Sequence, residues 1–498
     1  MNDRREKSWQ VWMLDQGACE QAIANGEPVE AVPTSYGQND FILQFLWESG
    51  LWSVLTGMRA DGLRKHNGKS PAVLNGVEVI RELAGIDRIG RCGKVLRDTR
   101  LMLQAGFNLE EVTRAVKEQR GVIDTETLSN HLARVSPGSS QSSFMEHVRL
   151  LRSRRWIRGG VYAADAHEII VPYGRQYERL GRVGEKYGFK LVLIINVTEG
   201  RERIVGFTFA PLQTSERSML VGILRRLERE VAPLKKWMKI LILDRGYWGA
   251  EYLLDIKKRY KVDVVTRFKH EGLDAVDWVE TALGDARWEE HPERRSRLGR
   301  IRVRVAGVEG VPLYDEQRKL VGHINAVVAD EYDLSGSPLR GEDGELRPRF
   351  YYATTLETGA RPYSTRRLYL RRWVIENQGF RELNIRWSID TLAGKRFAAN
   401  YARLAFAMML YNAERVLRMK HPGPWEEERE RLSALGERGL LGGPALAAYT
   451  PQGQLGLLSA QRYRDLVQLA ERRRIAALLR DHIAEGHDLG DVLGKLEQ

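Results

Sequence analysis

Cysteine is almost missing from this chain of 498 residues, which contains only Cys19 and Cys92. A disulfide framework and a four-cysteine zinc site both need more cysteines, so both are excluded. Long apolar runs are missing too, since stretches such as 191–197 are far shorter than the roughly 20 residues that cross a bilayer, and the N-terminus has no apolar leader. The sequence therefore predicts a protein of the reducing cytoplasm with no membrane partner.

Several common catalytic signatures are also absent. The segment 85–94 (GIDRIGRCGK) places its lysine outside the spacing of a phosphate-binding loop. The chain has no G-x-S-x-G elbow and no H-E-x-x-H helix, so a serine hydrolase and a zinc protease lack their starting motifs. The pair His167 and Glu168 is better interpreted as part of a polar loop than as a zinc site.

Positive charge is in excess, with 78 Lys and Arg against 66 Asp and Glu and a formal net charge of +12. Because 29% of the residues are charged, this excess lies on a strongly ionised surface and favours polyanions as partners. The hydrophobic content of 43% is enough for the cores of two to four ordinary domains.

Residues 1–138 predict a helical DNA-binding domain. Asn108 followed three residues later by Glu111 predicts a capping box, and a short helix follows the turn at Gly121. The two helices around this turn resemble a helix-turn-helix, whose alternative is an ordinary helical pair with a solvated polar face. The side chains expected to face a DNA groove are Thr125, Thr127, Ser129, Asn130 and His131.

The segment 136–143 (SPGSSQSS) predicts a linker, because Pro, Gly and Ser together disfavour helix and strand. The pattern after it is that of an α/β domain, assigned to 144–285 and 350–420, with a mixed sheet covered by helices. Strands are predicted at 160–170, 190–197, 204–211, 238–244 and 262–269, and helices at 214–231, 249–260, 365–386 and 397–419.

Two further regions complete the predicted organisation. Residues 286–349 alternate apolar and polar side chains between turns, which predicts an antiparallel β insertion. Residues 421–498 predict a helical C-terminal region, with helices near 459–482 and 489–496. The helix 466–483 is the candidate for a contact between two copies of the chain.

Three carboxylates lie in or next to well-defined elements. Asp165 is in an otherwise apolar strand, where an acid is costly unless it is paired or binds a metal. Asp244 ends an apolar strand, at the sheet edge where active sites commonly lie, although a turn residue is the simpler alternative. Glu376 is on a predicted helix that brings Tyr369 and Arg372 to the same face, which could also be a solvated charge stripe.

The run Tyr369-x-x-Arg372-Trp373-x-Ile375-Glu376 resembles the Y-R-E-K signature of the DDE transposases of cut-and-paste bacterial insertion sequences. The run Asp244-Arg245-Gly246-Tyr247 is similar to the D-[RK]-G-[YF] turn around that family's second aspartate. Asp165 matches the first aspartate by its place in the first core strand. The resemblance covers roughly residues 144–419.

One position departs from the family's signature. The final lysine of that signature falls on Leu383 here. Arg381 or Arg386 is the available substitute, but neither is on the same helical face as the expected lysine.

The resemblance implies an enzyme that has a ribonuclease-H-like α/β fold and cleaves DNA. Asp165, Asp244 and Glu376 would then be the catalytic residues and would hold two Mg²⁺ ions, for which Mn²⁺ can substitute. Phosphodiester cleavage needs charge neutralised on both the attacking and the leaving oxygen, which two cations held by carboxylates provide.

The same resemblance implies DNA ligands around the carboxylates. Tyr369 and Arg372 would bind phosphates near the cut, as suits the planar donors of an arginine, and Arg245 would also contact DNA. Trp373 would stack on a flipped base or pack in the core, and Trp288 is a weaker candidate for holding an extruded base. Residues 361–396 carry nine Lys and Arg against three acids, so half of the net charge borders Glu376.

The partners implied are double-stranded DNA, both terminal inverted repeats and target DNA, and a second copy of the chain in a homodimer on DNA. A bacterial, nucleoid-associated location follows from these partners. Two other functions remain open: a non-catalytic DNA-binding regulator, and a stand-alone Mg²⁺-dependent nuclease that does not join ends. A metal-dependent cleavage assay separates the first of these from a transposase.

Overall fold

The computed structural model describes residues 13–485 with the exception of 15, 35, 37–38, 63–67, 173–175, 270–273, 296–298, 316, 341–345, 347–348, 360, 421–439, 441–444 and 459. The chain forms two compact units. The first unit contains residues 1–143, 385–394 and 398–498, and the second contains 144–384 and 395–397.

The strands of the described part are numbered in chain order. They are β1 (Met13–Leu14), β2 (Glu30–Thr34), β3 (Val161–Ile170), β4 (Gly181–Val183), β5 (Lys186–Asn196), β6 (Ile204–Pro211), β7 (Ile240–Leu243), β8 (Asp263–Arg267), β9 (Trp288–Arg295), β10 (Gly299–Tyr314), β11 (Leu320–Tyr332), β12 (Phe350–Thr354), β13 (Ala445–Tyr449) and β14 (Gln454–Leu458).

The α-helices of the described part are numbered in the same way. They are α1 (Gln16–Ala24), α2 (Asn39–Glu48), α3 (Leu51–Thr56), α4 (Pro71–Leu83), α5 (Gly93–Arg97), α6 (Thr99–Ala105), α7 (Leu109–Lys117), α8 (Thr125–Leu132), α9 (Pro137–Ser153), α10 (Glu216–Glu230), α11 (Ala250–Tyr260), α12 (Asp274–Ala282), α13 (Pro362–Leu370), α14 (Arg381–Trp387), α15 (Phe397–Lys420) and α16 (Ala460–Ala484). None of these helices is long and apolar enough to cross a membrane.

The second unit is built on one mixed sheet with the strand order β4-β5-β3-β7-β8-β12-β11-β10-β9, and β6 also pairs with β5. Strands β3, β7 and β8 run parallel, whereas β5 runs antiparallel to β3. Strand β7 is entirely apolar and mostly buried, as expected for a central parallel strand. Helix α10 packs on β5 and β6, and helix α11 packs on β8 and β11. The predicted mixed α/β sheet is therefore confirmed.

The predicted antiparallel insertion is also found, but it is not a separate sheet. Strands β9, β10 and β11 pair antiparallel to one another, and β12 joins them to β8 of the central sheet. Exposed and buried side chains alternate along residues 300–305 of β10. This is the alternation of polar and apolar residues from which the strand was predicted. The insertion therefore extends the central sheet at its β8 edge.

A buried arginine connects α13 to this insertion. The Arg366 side chain is fully buried and donates to both carboxylate oxygens of Glu293 at 3.1 Å, to Glu331 at 2.7 Å and to the Tyr352 hydroxyl at 2.8 Å. Buried charges need such partners to offset their loss of hydration. The helix that leads to Glu376 is thus tied to strands β9, β11 and β12.

The linker prediction for 136–143 is wrong, because helix α9 begins at Pro137 and runs through this segment. Pro is favoured in the first turn of a helix, where its missing N–H costs nothing. The Ser136 hydroxyl accepts a hydrogen bond from the Ser139 amide at 3.3 Å, as an N-cap does. Phe144 and Val148 then supply the buried apolar face.

The first unit contains a small sheet in addition to helices, so the prediction of purely helical terminal regions is incomplete. Its strand order is β1-β14-β13-β2, with β1 parallel to β14 and the other pairs antiparallel. Helix α16 confirms the helix predicted near 459–482, whereas the helix predicted at 489–496 lies outside the described residues. Cys19, Ile23, Ala448 and Leu466 share a buried core that joins the two ends of the chain.

Candidate active site

Two of the three carboxylates are brought together by the pairing of β3 with β7. The parallel register aligns Ala164 with Leu243, so the residues that follow, Asp165 and Asp244, lie side by side. Strand β7 ends at Leu243, which puts Asp244 at the carboxyl edge of the sheet. The Asp165 side chain is 16% exposed and that of Asp244 is 33% exposed, so the pair is open to solvent on one side.

Glu376 reaches this edge from a distorted helical segment. The single helix predicted over 365–386 is wrong in detail, because α13 ends at Leu370 and a π-helical turn covers Ile375–Phe380. Before the π-helical turn, the Arg372 amide donates a hydrogen bond to the Tyr369 carbonyl, three residues earlier, at 2.9 Å. At the end of the π-helical turn, the Arg381 amide donates to the Glu376 carbonyl, five residues earlier. π-Turns of this kind recur at functional sites.

Arg372 lies among the three carboxylates. Its guanidinium contacts Glu376 at 2.6 Å and Asp165 at 3.1 Å, and its Nε lies 3.6 Å from the Asp244 Oδ1. The side chain is only 12% exposed, and the Nε atom has no hydrogen-bond partner among the described residues. A single cation therefore lies within 3.6 Å of three acids and offsets only one of their three formal charges.

These acids have the chemistry of a divalent-cation site. Three carboxylates supply the hard oxygen ligands that Mg²⁺ and Mn²⁺ prefer. Among the residues that the structure describes, however, no group of three acids, histidines or cysteines is spaced to hold an ion. The Arg372 guanidinium contacts these carboxylates, so a metal ion held by the same oxygens would compete with it.

The Asp165 carboxyl has a raised pKa. Burial raises its pKa to about 6, and the neighbouring Asp244 and Glu376 charges act in the same direction. The Ala166 amide, which donates to Asp165 Oδ1 at 2.8 Å, and the Arg372 guanidinium oppose this rise. An acid with these properties in a cleft is typical of a functional site.

The comparison with known families agrees with this geometry. The transposase DDE domain matches residues 156–413, a little over half of the chain. The chain belongs to the DDE transposase family. The match includes all three carboxylates and Arg372, and it is consistent with the ribonuclease-H-like fold expected from the sequence. No curated protein shows significant similarity to the chain.

The other residues of this transposase domain that are candidates for DNA binding differ in their exposure to solvent. Tyr369 is buried, and burial raises its pKa to about 12, so its hydroxyl stays protonated. Arg245 is exposed on the turn after Asp244. Trp373 is 55% exposed, with the Arg372 guanidinium 5.7 Å from its ring centre, which excludes the core-packing interpretation.

Trp288 is already engaged. The guanidinium groups of Arg304 and Arg349 lie 4.9 and 5.5 Å from its ring centre, and Arg349 is in turn held by Asp330 and Glu280. These cation–π contacts compete with the stacking of an extruded base. That Trp288 holds an extruded base stays a prediction. A base stacked on this ring would have to replace the contacts with Arg304 and Arg349.

Leu383, at the position of the missing signature lysine, is fully buried and packs in the core. Arg381 is exposed to solvent, and Arg386 is paired with Glu414. Because its guanidinium is paired with Glu414, Arg386 does not replace the missing signature lysine.

Near the site, Glu216 was missed, and Tyr247 was named only as the last residue of the turn motif. Tyr247 is fully buried, its hydroxyl lacks a hydrogen-bond partner in the described part of the chain, and burial followed by the Glu216 charge raises its pKa. Glu216, at the start of α10, pairs with Lys190 at 3.0 Å and lies against the turn at Gly246. In the sequence Glu216 is merely an acid in the first turn of a helix, so no pattern indicated it.

In the first unit, the predicted capping box of α7 is confirmed. The Glu111 amide donates to Asn108 Oδ1 at 2.8 Å, and the Asn108 amide donates to Glu111 Oε2 at 3.4 Å. In α8, Thr127 and Asn130 are exposed and Thr125 is half-buried, so these three can reach a ligand. His131 cannot, because it is buried with its Nε2 atom 2.8 Å from Asn75 Oδ1.

Proposed function

We propose that this DDE transposase binds the terminal inverted repeats of an insertion sequence, cleaves the DNA by two-metal hydrolysis and joins the 3′ ends to target DNA. The observation that carries the proposal is the meeting of Asp165 in the middle of β3, Asp244 after the end of β7, and Glu376, all within 3.6 Å of one arginine. A purely structural role does not require three acids on separate elements to converge on a solvent-accessible edge.

Asp165, Asp244 and Glu376 are the proposed ligands of two Mg²⁺ ions, or of Mn²⁺ in their place. When bound, these ions activate the attacking water or 3′ hydroxyl and neutralise charge on the departing 3′ oxygen. Because burial raises the pKa of Asp165 to about 6, its carboxylate would be available to hold a metal more fully as the pH rises through that value.

Arg372 is proposed to change partners during the reaction. Its guanidinium is satisfied by carboxylates in the structure, and a DNA phosphate offers an equivalent planar set of acceptors. Transfer of Arg372 from the acids to a phosphate frees the carboxylates for metal and holds the strand next to them. Exposed Arg245 and the Tyr369 hydroxyl would bind neighbouring phosphates, and Trp373 offers an uncovered ring to a flipped base.

The decisive experiment uses Asp165→Ala, Asp244→Ala and Glu376→Ala in the full chain. Duplexes taken from the DNA that flanks the coding region serve as substrates in Mg²⁺. Each variant is expected to lose cleavage by about a thousandfold or more, since about 1.4 kcal/mol is worth tenfold in rate and a metal ligand contributes several kcal/mol. DNA binding measured in EDTA is expected to persist.

Asp255→Ala is the matched control, because Asp255 is a partly exposed aspartate of the same unit, paired with Arg259 on α11. It is expected to cleave like the wild type. Near-normal cleavage by any of the three variants would remove that residue from the site. Cleavage without joining of 3′ ends to a target plasmid would favour the stand-alone nuclease, and binding without any cleavage would favour the regulator.

The proposed homodimer on DNA is tested by sedimentation with and without end DNA. Leu469, Ile475 and Leu478 on α16 are exposed apolar side chains and are the candidate contact. Truncation at residue 451 is unsuitable because it deletes β14, the strand between β1 and β13. Substitution of these three residues by Ser is expected to prevent the pairing of ends, and unchanged pairing would exclude α16 as the contact.

A further inference from the structure

Four exposed cations form a row on the first unit, at Arg88, Arg91, Lys94 and Arg97. This basic ridge runs along a short 3₁₀ turn (Ile89–Arg91) and helix α5. The apolar residues between the cations face inward, since Ile89, Cys92, Val95 and Leu96 are buried. It is part of the segment whose lysine did not fit a phosphate-binding loop.

The positive charge of the basic ridge is almost uncompensated. Arg91 lies 3.4 Å from Asp87 but its side chain is 65% exposed, and such surface pairs are weak. Arg88, Lys94 and Arg97 form no ion pair with any described residue. Asp98, the acid at the end of the ridge, is occupied as the cap of α6, where it accepts from the Leu101 amide at 2.9 Å.

The ridge is fixed next to the predicted recognition helix. The 3₁₀ turn packs against α8. The Val122 amide, in the turn before α8, donates to the Leu96 carbonyl at 3.0 Å, and a side chain at Gly121 would approach Leu96 Cβ at 3.1 Å. The ridge and α8, with exposed Thr127 and Asn130, therefore move as one structure.

We propose that the basic ridge binds the phosphate backbone of duplex DNA beside helix α8. The proposal rests on the proposed function, because it assumes that DNA is the ligand of this unit. Cations at every third position along one edge match a regular polyanion. The open space at Gly90 and Gly93 also leaves the backbone accessible to a phosphate. A membrane surface is less suited, since the ridge exposes no large apolar side chain.

The test is the full-length triple variant Arg88→Gln, Lys94→Gln and Arg97→Gln. Binding to a random-sequence duplex is measured in EDTA by fluorescence anisotropy over a range of salt concentrations. If each of the three side chains contacts a phosphate, the slope of log K against log salt falls by about 3, and affinity at low salt falls by about tenfold or more.

The matched control is Lys235→Gln, Lys236→Gln and Lys258→Gln, which removes the same charge from exposed positions of the second unit. It is expected to keep most of the wild-type salt slope. Because all three ridge side chains are exposed, circular dichroism and the melting temperature of the ridge variant are expected to match the wild type. Replacement of Arg88 and Arg97 by Lys is expected to keep the slope, since the charge is kept.

An unchanged salt slope in the ridge variant, or an equal loss in the control, overturns the proposal and indicates an acidic protein as the partner or no partner. Failure of the proposed function is seen separately, as a wild-type protein that does not cleave DNA in Mg²⁺. A ridge-dependent salt slope in such a protein still supports the ridge, because binding is measured without metal.

Discussion

Replacement of Asp165 by Asn is expected to stabilise the protein while it abolishes cleavage. Burial raises the pKa of the Asp165 carboxyl to about 6 from an ordinary value of 3.8. Since the pKa is higher in the folded state than in the unfolded chain, ionisation of Asp165 opposes folding. The penalty is absent below pH 3.8, grows between pH 3.8 and about 6, and is complete above that.

The size of this penalty follows from the shift. A pKa difference of one unit corresponds to about 1.4 kcal/mol, so the rise at Asp165 costs about 2–3 kcal/mol at neutral pH. Asn keeps the shape of the side chain without the charge. A domain of this size gains roughly 2–4 °C in melting temperature per kcal/mol. Asp165→Asn is therefore expected to melt about 4–12 °C above the wild type at neutral pH.

The assay is thermal unfolding in EDTA across pH, with Asp255→Asn as the control. That variant loses only a surface pair with Arg259 and is expected to melt within about 2 °C of the wild type. The gain of Asp165→Asn is expected to shrink as the pH is lowered toward 4. Added Mg²⁺ is expected to raise the melting temperature of the wild type much more than that of the variant.

The reasoning is refuted if Asp165→Asn melts at or below the wild-type temperature at neutral pH, or if its gain is the same at pH 4. Either result means that Arg372 and the Ala166 amide outweigh burial at this carboxyl.

Three further predictions concern the surroundings of the site. Arg366→Met removes the buried guanidinium that pairs with Glu293 and Glu331 and is expected to cost about 3–5 kcal/mol in the free energy of unfolding, measured by denaturant titration. Arg367→Met, at an exposed neighbour, is expected to cost nearly nothing. Trp373→Ala is expected to lower cleavage about tenfold to a hundredfold in single-turnover assays without a change in melting temperature, because the ring is exposed rather than packed in the core and is proposed to support a base. Leu383→Lys restores the signature residue but buries an unpaired ammonium, so a melting experiment is expected to reveal a loss of about 3 kcal/mol or more and cleavage is expected not to rise.

The central sheet and two of its acids could be predicted because their causes are local. An all-apolar run ended by an acid indicates a buried parallel strand with its carboxylate at the edge, and Asp244 follows that rule. The position of Asp165 beside Asp244 also depends on the register of the two strands, which pairs Ala164 with Leu243. The capping box of α7 was equally local.

Other features depend on contacts between distant residues or on small differences in backbone energy. No sequence period distinguishes the π-turn at Ile375–Phe380 from a continuing α-helix. Strands β13 and β14 are short, and their partners β1 and β2 lie more than 400 positions earlier. The segment 136–143 has the composition of a linker, yet Ser136 and Pro137 are also ideal residues for the start of a helix.

The small sheet that joins the two ends of the chain has a consequence for synthesis on the ribosome. The partners of β1 in β14 are made about 440 residues later, which at 5–20 residues per second is a delay of roughly 20–90 seconds. The continuous segment 144–384 is complete about 70 residues earlier, roughly 4–14 seconds before β14 is made. The second unit can therefore be folded while the first unit still lacks half of its sheet, and the first unit becomes complete only after β13 and β14 have been made.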